Sequence, residues 1–401
     1  MKRFVSVAAV AATSMLASVS PIGSVHAASG QYSPGASDTE IKIGHTTAYS
    51  GPVSAFGAGG RVLSAYFKMV NESGGVNGRR VGFISLDDAY SPPKAVEQTR
   101  RLVEEFGVLM ITSVSGSPTN ASTQKYLNSK GIPQVLISTG AAKFNNPQAF
   151  PWTMPFWPTY SLEQKTYVDY IAKAKPGAKI GVLYANDDYG KDHLAGVKTA
   201  VAANPGVSIV AEVPYETSDA TVDSQMIRLK ASGADTFISA RTPKFAAQAI
   251  RKAKELGWSP MQFVANASNS VSAVLIPAGV ENSTGVMTAA YLKVPGDPKW
   301  AQDKGVNDYL DFMKKWAPQE NPQDLYAISS YANATMLHHV LKSCGNDLTR
   351  ENVMKQVSNI HDIHLSMHLP KIALKTTPQD FAAFQSLQLQ RFDGSRWVDV
   401  D

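Results

Sequence analysis

The feature that most constrains the fold is a regular alternation of short apolar runs with longer segments of helical periodicity. The apolar runs occupy 41–48, 80–86, 108–114, 133–138, 179–185, 208–213, 235–240, 262–266 and 285–290. Helical patterns between them occupy 60–73, 93–105, 119–129, 161–174, 192–203, 221–232 and 242–256. Strands that alternate with helices form βαβ units, which build parallel sheets covered on both faces. The sequence therefore predicts an α/β protein with Rossmann-like parallel sheets.

Two of the apolar runs end in the same way, with two adjacent acids and a nearby Tyr. They read VGFISLDDAY over 81–90 and IGVLYANDDY over 180–189. Residues that follow a strand of a doubly wound sheet lie at its carboxyl end, where the binding crevice forms. The spacing of the runs after residue 179 also resembles that after residue 41. We therefore predict two similar lobes whose strand ends face one cleft.

The pattern changes near residue 290. The segments 300–316 and 324–344 carry apolar residues at helical spacing, and Gly345 follows as a stop signal. The C-terminal segment 386–400 alternates and contains Asp393-Gly394, which is typical of a β-hairpin. This late return to strands predicts that the chain re-enters a lobe built earlier.

The first residues have the features of a secretory signal peptide. Lys2 and Arg3 precede an apolar stretch, and Val25 and Ala27 have the spacing of a cleavage site. The apolar stretch is too short to span a bilayer, and no cysteine at the cleavage point offers a lipid anchor. We predict cleavage after Ala27 and a soluble, periplasmic protein.

The charge and the single cysteine exclude several classes. Loss of Lys2 and Arg3 lowers the formal net charge from +5 to +3, and no basic run is present, so we expect no nucleic-acid partner. Cys344 is the only cysteine, so the fold depends on its apolar core and not on disulfides. We also expect a monomer.

The patterns of common catalytic and metal sites are absent or incomplete. The glycine-rich segment 56–61 lacks the spacing of a dinucleotide site, although backbone N–H groups at a helix start suit an anion. Neither a G-x-S-x-G elbow nor histidines on one helix face occur, since His338 and His339 are consecutive and His361, His364 and His368 fall in an irregular segment. We predict no catalytic residue, metal or cofactor.

The acid pairs Asp87–Asp88 and Asp187–Asp188 allow a glycosidase hypothesis. Carboxylates for glycoside hydrolysis must flank one bond at a fixed separation. Neighbouring residues at one strand end point in different directions, so turn formation and helix capping are the favoured roles.

Small polar and aromatic residues follow several predicted strands and could line one cleft between the lobes. A small-molecule site needs a few polar groups for orientation and apolar rings for the body of the ligand. The candidates are Tyr49, Ser50, Phe56, Ser115, Ser117, Thr119, Thr139, Gly140, Ala141, Tyr189, Arg241 and Asn266.

Several segments, taken in order, resemble one protein family. They are the Ser50-Gly51-Pro52 turn, NESGGVNGR over 71–79, DDAYSP over 87–92, STGAAKF over 138–144, NDDYGKD over 186–192, TPKFAAQAIRKAKELG over 242–257 and LQLQRFDGSRWV over 387–398. Together they resemble the solute-binding proteins of ABC importers for branched-chain amino acids. The resemblance implies a type I periplasmic binding fold that closes on its ligand like a clam.

The resemblance also implies a domain division and a partner. Lobe I would comprise 38–155 plus 289–375, and lobe II would comprise 156–288 plus 376–401, joined by three hinge crossings. The partner would be the membrane permease of an ABC importer.

Some family contacts match residues of this chain. Phe56 stands where an aromatic residue lines the pocket, Ser117 where a serine holds the ligand carboxylate, and Tyr189 where a tyrosine closes over the ligand. Gly140 and Ala141 lie in the loop that supplies backbone groups, although Ala142 stands where amino-acid binders place a Thr.

Two departures from the family pattern bear on the ligand. Arg241 replaces a Tyr, and Ala267 stands where amino-acid binders place the Glu that holds the ligand's ammonium. A buried ammonium without a carboxylate partner is unfavourable by several kcal/mol. Arg241 suits a carboxylate, and Phe156 and Trp157 could stack on a ring. We therefore expect a small organic acid, with an aromatic carboxylate as one form.

Three alternatives remain open. The protein could bind a branched-chain or other amino acid, act as a ligand sensor for a receptor, or be an exported hydrolase.

Overall fold

The computed structural model describes residues 1, 2, 4, 30–240, 242–361 and 363–400. The greater part of the predicted signal peptide, with its cleavage point at Ala27, lies outside the described residues, and so does Arg241.

The strands lie close to the predicted apolar runs. They are β1 (Gln31–Tyr32), β2 (Glu40–Thr47), β3 (Arg80–Asp87), β4 (Met110–Thr112), β5 (Gln134–Ile137), β6 (Thr153–Pro155), β7 (Lys179–Ala185), β8 (Ser208–Tyr215), β9 (Thr236–Ala240), β10 (Met261–Val264), β11 (Met287–Ala290), β12 (Asp347–Leu348), β13 (Gln388–Phe392) and β14 (Trp397–Asp399). The sequence pattern did not reveal β1, β6 and β12 because two or three residues are too few to show alternation.

Two sheets share one strand order. Sheet I is parallel with the order β3-β2-β4-β5-β6. Sheet II contains β8-β7-β9-β10-β11 in parallel, and β13 and β14 extend it antiparallel at the β11 edge. Counted along the chain, both parallel sets have the order 2-1-3-4-5, a doubly wound order that places ligands at the carboxyl ends of the strands. The predicted similarity of the two lobes is confirmed at the level of strand order.

The helices fill the intervals between the strands. They are α1 (Gly57–Glu72), α2 (Pro92–Arg100), α3 (Ser117–Ser129), α4 (Tyr160–Ala174), α5 (Asp188–Ala202), α6 (Asp223–Ala231), α7 (Pro243–Glu255), α8 (Ile276–Ala278), α9 (Val280–Ser283), α10 (Lys304–Trp316), α11 (Leu325–Cys344) and α12 (Arg350–Val357). The clearest shift is in α5, which begins four residues before the predicted 192 because Asp187 caps it directly after β7.

The chain crosses between the two halves three times. It leaves sheet I after β6, leaves sheet II after β11 to form α10 and α11, which pack on α1, and returns as the hairpin of β13 and β14. We call the half that contains sheet I lobe I and the half that contains sheet II lobe II. The predicted α/β fold with two parallel-sheet lobes and a returning C-terminal hairpin is therefore confirmed.

The central strands of both sheets are buried on both faces, whereas the edge strands β3 and β8 are partly exposed. In sheet I, Ile41, Ile43 and Val135 are fully buried, and in sheet II so are Val182 and Phe237. Each buried side chain of this size stabilises the fold by about 1.5–3 kcal/mol relative to exposure. The sheets thus form rigid supports, and their strand ends and following turns can hold side chains at fixed positions.

No helix within the described part of the chain combines the length and apolarity that crossing a membrane requires.

Candidate functional site

A cavity lies between the lobes at the carboxyl ends of both sheets. Six aromatic side chains and a few small or hydroxyl-bearing residues surround it. Its lining consists of Phe56, Tyr90, Ser115, Gly116, Ser138 and Tyr326 from lobe I and Trp157, Tyr160, Tyr189, Thr242 and Ala267 from lobe II. The cavity volume is about 30 Å³, whereas ligand pockets commonly measure about 300–1,000 Å³. A ligand of more than a few atoms therefore requires the walls to separate.

Several helices begin at this cavity. Phe56 is the N-cap of α1, Gly116 of α3 and Thr242 of α7, while Tyr160 is the first residue of α4. The N-terminus of a helix carries a partial positive charge and exposes N–H groups. Asp187 and Asp324 cap two further helices that begin there, α5 and α11, but the first four ends come from both lobes, have no acidic cap and favour a negatively charged group.

The first acid pair forms a turn that places Tyr90 in the cavity. Asp87 accepts hydrogen bonds from the N–H groups of Tyr49 at 2.9 Å and Ala89 at 3.0 Å, and Asp88 accepts one from the N–H of Tyr90 at 2.8 Å. Ala89 and Tyr90 both have positive φ, 50° and 59°, which is strained for residues other than glycine. The two carboxylates therefore stabilise a backbone conformation that the chain would not adopt without them.

The environments of the two acids differ. Burial opposes ionisation of Asp87, but hydrogen bonds from Ser50, Ala89 and Tyr49 outweigh it and lower the pKa. For Asp88, burial dominates and raises the pKa. Glycine at 116 leaves room for the Tyr90 ring, because a Cβ there would meet Tyr90 Cε2 at 2.4 Å.

The second acid pair has a different role. Asp187 caps α5 by accepting a hydrogen bond from the N–H of Gly190 at 3.0 Å, and burial raises its pKa. Asp188 forms an ion pair with Lys143 of lobe I at 2.6 Å. Turn formation and helix capping, which the sequence favoured for both pairs, thus account for three of the four acids.

One wall of the cavity is fixed by hydroxyl groups. The Tyr160 hydroxyl lies 3.4 Å from Ser117 Oγ and 3.2 Å from Thr139 Oγ1, which are 2.7 Å from each other. Burial raises the pKa of Tyr160 to about 12. His193 stacks on Tyr160 with ring centroids 4.0 Å apart, and burial lowers the pKa of His193 to about 3. Tyr160 is therefore a neutral, well-positioned ring.

A hydrogen-bonded chain supports Trp157 of the lining. Trp157 Nε1 donates to Asn266 Oδ1 at 2.8 Å, and the N–H of Asn266 donates to Glu163 Oε1 at 3.0 Å. The Tyr167 hydroxyl lies 2.9 Å from the same carboxyl oxygen. Glu163 is fully buried, and burial raises its pKa to about 8. It is therefore mostly protonated at neutral pH and adds little negative charge behind the cavity.

Three contacts join the lobes around the cavity. The Tyr326 hydroxyl donates to the carbonyl oxygen of Ala267 at 2.9 Å, the N–H of Ala142 donates to Asp192 at 3.1 Å, and Lys143 pairs with Asp188. The structure thus shows the lobes closed on each other.

The site residues that were predicted from the sequence fall into three groups in the structure. Phe56, Trp157, Tyr189 and Ala267 line the cavity, as does Ser115. Residues that stand behind the wall or in its supporting turns are Tyr49, Ser50, Ser117, Thr119, Thr139, Gly140, Ala141, Phe156 and Asn266. Arg241 lies outside the described residues.

Six lining residues were not among the predicted site residues, although three of them lie in the motifs 87–92, 138–144 and 242–257. They are Tyr90, Gly116, Ser138, Tyr160, Thr242 and Tyr326. Tyr90 had a signal, since it follows an acid pair as Tyr189 does. Tyr326 had another, because Asp324 marks the start of a helix. Neither signal predicts whether the tyrosine side chain faces the cleft.

Among the described residues, no three His, Cys, Asp or Glu side chains are grouped as a metal site would need. Cys344 is buried at the end of α11.

Comparison with protein-family models gives a match over residues 40–396, to the family described as periplasmic binding protein. Two curated relatives come from Brucella abortus. "Leu/Ile/Val-binding protein homolog 8" is 22% identical over 315 residues, 76% of each chain. "Leu/Ile/Val-binding protein homolog 7" is 23% identical over 318 residues, 75% of this chain and 77% of the relative.

Solved structures share the fold at low identity. A branched-chain amino acid ABC transporter protein from Thermus thermophilus with bound valine has a TM-score of 0.82 and 17% identity, and the match covers 93% of this chain and 96% of the other. A fatty acid ABC transporter substrate-binding protein from Thermomonospora curvata has a TM-score of 0.74 and 22% identity, with 93% and 94% covered.

Proposed function

Because the chain belongs to the periplasmic binding protein family, as a type I member of its branched-chain amino acid group, we propose that it captures a small organic acid between its lobes. It would then deliver the acid to the membrane permease of an ABC importer. The family consists of binding proteins and not of enzymes. Closure around the ligand, and not a chemical reaction, is then the functional event.

The lining of the cavity is the observation that carries this proposal. Helix N-termini from both lobes favour an anion, and six aromatic rings favour a flat or apolar body. None of the described lining residues is acidic, and Ala267 stands at the wall where an ammonium-binding carboxylate would be needed. A carboxylate without an α-ammonium fits this surface best, and an aromatic carboxylate uses both of its features.

Arg241 remains part of the proposal on sequence grounds. It directly precedes Thr242, which lines the cavity, and a guanidinium group binds a carboxylate with two parallel hydrogen bonds.

Amino-acid binding is the second candidate, because of the names of the relatives. The Brucella proteins are named Leu/Ile/Val-binding homologues, and the Thermus protein holds valine. The Thermomonospora protein is named for fatty acids, which are carboxylates without an ammonium group. The family fold thus occurs with both ligand classes, and the wall at Ala267 favours the second class for this chain.

The location and the assembly of the protein belong to the same proposed function. We propose that 1–27 is a signal peptide, that the protein works as a periplasmic monomer, and that the lobes comprise 38–155 plus 289–375 and 156–288 plus 376–401. The family match supports export, since periplasmic binding proteins act outside the cytoplasm.

Isothermal titration of the mature protein with benzoate, 4-hydroxybenzoate and leucine tests the ligand class. We expect at least one aromatic acid to bind with micromolar affinity, about 8 kcal/mol, and leucine to bind at least a hundredfold more weakly. Arg241→Met should weaken the acid and leave the melting temperature unchanged. Tight leucine binding would overturn the proposal in favour of amino-acid transport.

A further inference from the structure

Thr242 Oγ1 of lobe II is buried at the cavity and has no hydrogen-bond partner among the described residues. In lobe I, the hydroxyls of Tyr90 and Ser115 also make no hydrogen bond within the described residues, and burial raises the pKa of Tyr90. Three other hydroxyls of the lining are engaged: that of Tyr160 with Ser117 and Thr139, that of Tyr326 with a backbone carbonyl, and that of Ser138 with Asn333. A buried hydroxyl without a partner is unfavourable, so Thr242 is positioned to meet a polar atom of another molecule, and the unengaged Tyr90 hydroxyl can meet the same molecule from the other lobe.

The position of Tyr90 is imposed by its turn and not by its own preference. Two consecutive residues with positive φ strain the backbone and persist only when the surroundings enforce them. The carboxylates of Asp87 and Asp88 supply that constraint, and the absence of a side chain at Gly116 provides the space for the ring. Strain held in this way is typical of functional sites.

Thr242 meets the cavity from the other lobe. Its side chain is only 4% exposed, its Oγ1 makes no cap hydrogen bond to α7, and its N–H donates to the Tyr215 hydroxyl at 3.1 Å. The backbone is therefore anchored while the hydroxyl stays available beside the N-terminus of α7.

We propose that Tyr90 and Thr242 determine specificity by donating hydrogen bonds, from opposite lobes, to one carboxylate of the bound ligand. This inference rests on the proposed function, since it assigns the acid group of that ligand. A carboxylate has enough lone pairs to accept both hydrogen bonds and that of a backbone N–H group. Because one donor comes from each lobe, the same group that is recognised also bridges the closed state.

Titration calorimetry on matched variants tests the pair. Tyr90→Phe and Thr242→Val remove the hydroxyls and retain the bulk of each side chain, and Tyr170→Phe is the control because Tyr170 lies in α4 outside the cavity lining. The probes are benzoate and leucine, and each variant is measured with the one that wild type binds more tightly. Since both probes carry a carboxylate, the pair can be judged on either.

We expect each variant to weaken binding about ten- to a hundredfold, the loss typical of a hydrogen bond to a charged group. The melting temperatures and the affinity of Tyr170→Phe should match wild type. Affinities within twofold of wild type for both variants would overturn the assignment of the pair while leaving organic-acid binding intact. A wild type that prefers leucine would instead overturn the proposed ligand class, and the variants would still decide whether the pair binds the carboxylate.

Discussion

The Asp-Asp pairs of the two lobes have different structural roles. In lobe I, Asp87 and Asp88 stabilise a strained turn that carries Tyr90 into the cavity. In lobe II, Asp187 caps a helix that begins at once, and Asp188 reaches Lys143 of the other lobe. The difference follows from the residues after each pair. In lobe I, helix α2 begins only at Pro92, whereas in lobe II helix α5 begins at once and contains Tyr189 and Gly190. The shared Asp-Asp motif therefore predicts that a pair lies at the cleft, but it does not predict what the two carboxylates do there.

A second difference between the lobes gives the largest expected effect. Lobe II buries the carboxyl group of Glu163 within a helix, which no helix of lobe I does among the described residues. Burial raises its pKa from 4.5 to about 8, which corresponds to on the order of 5 kcal/mol. Between those pH values the folded protein keeps a proton that the unfolded chain loses, so the free energy of unfolding falls as pH rises from 4.5 to 8.

The variant Glu163→Gln should remove that pH dependence. We expect its free energy of unfolding to exceed that of wild type at pH 9 and the difference to shrink toward pH 5. Urea denaturation at five pH values measures it, with Glu255→Gln on the surface as the control. Parallel profiles for Glu163→Gln and wild type would show that this carboxyl group is not buried as a neutral acid.

Substituting Asp87 or Asp187 with alanine tests whether the two turns contribute differently to the free energy of unfolding. Asp87→Ala removes four hydrogen bonds, including the one from the Ser50 hydroxyl, and should lower the free energy of unfolding by about 3 kcal/mol. Asp187→Ala removes a helix cap and should lower it by about 1 kcal/mol. Chemical denaturation of both variants checks the order. Equal costs would mean that the two turns are equivalent after all.

The ion pair between the lobes has the smallest expected effect. Lys143 and Asp188 are both partly exposed, so solvent screens their attraction and the pair contributes at most about 1 kcal/mol to closure. Lys143→Met should raise the dissociation rate of a bound ligand a few-fold, and the effect should vanish in 0.5 M salt. Stopped-flow fluorescence measures the rate. A loss of affinity beyond tenfold would mean that the pair acts on the ligand itself.

The sequence predicted the architecture well because strand and helix periods are local properties. Runs such as 179–185 and the hairpin at Asp393-Gly394 lie where the pattern placed them. The site was predicted less completely because the direction of a turn depends on packing. Tyr90 points into the cavity only because two carboxylates and Gly116 allow a left-handed turn, and Tyr326 does so only because α11 returns to lobe I.

The burial of polar groups was the other feature that could not be predicted from the sequence. Glu163 occupies a position in α4 that any helical pattern would assign to solvent or a partner, and its burial follows from Asn266 and Tyr167 lying against it.

Native mass spectrometry of the protein purified without denaturation from its own host tests the central claim most directly, because a closed cavity retains its ligand. We expect an adduct whose accurate mass and fragments identify a carboxylic acid without an amino group, and we expect the Tyr90→Phe, Thr242→Val double variant to lose it. An adduct with the mass of leucine, isoleucine, valine or another α-amino acid would contradict the claim.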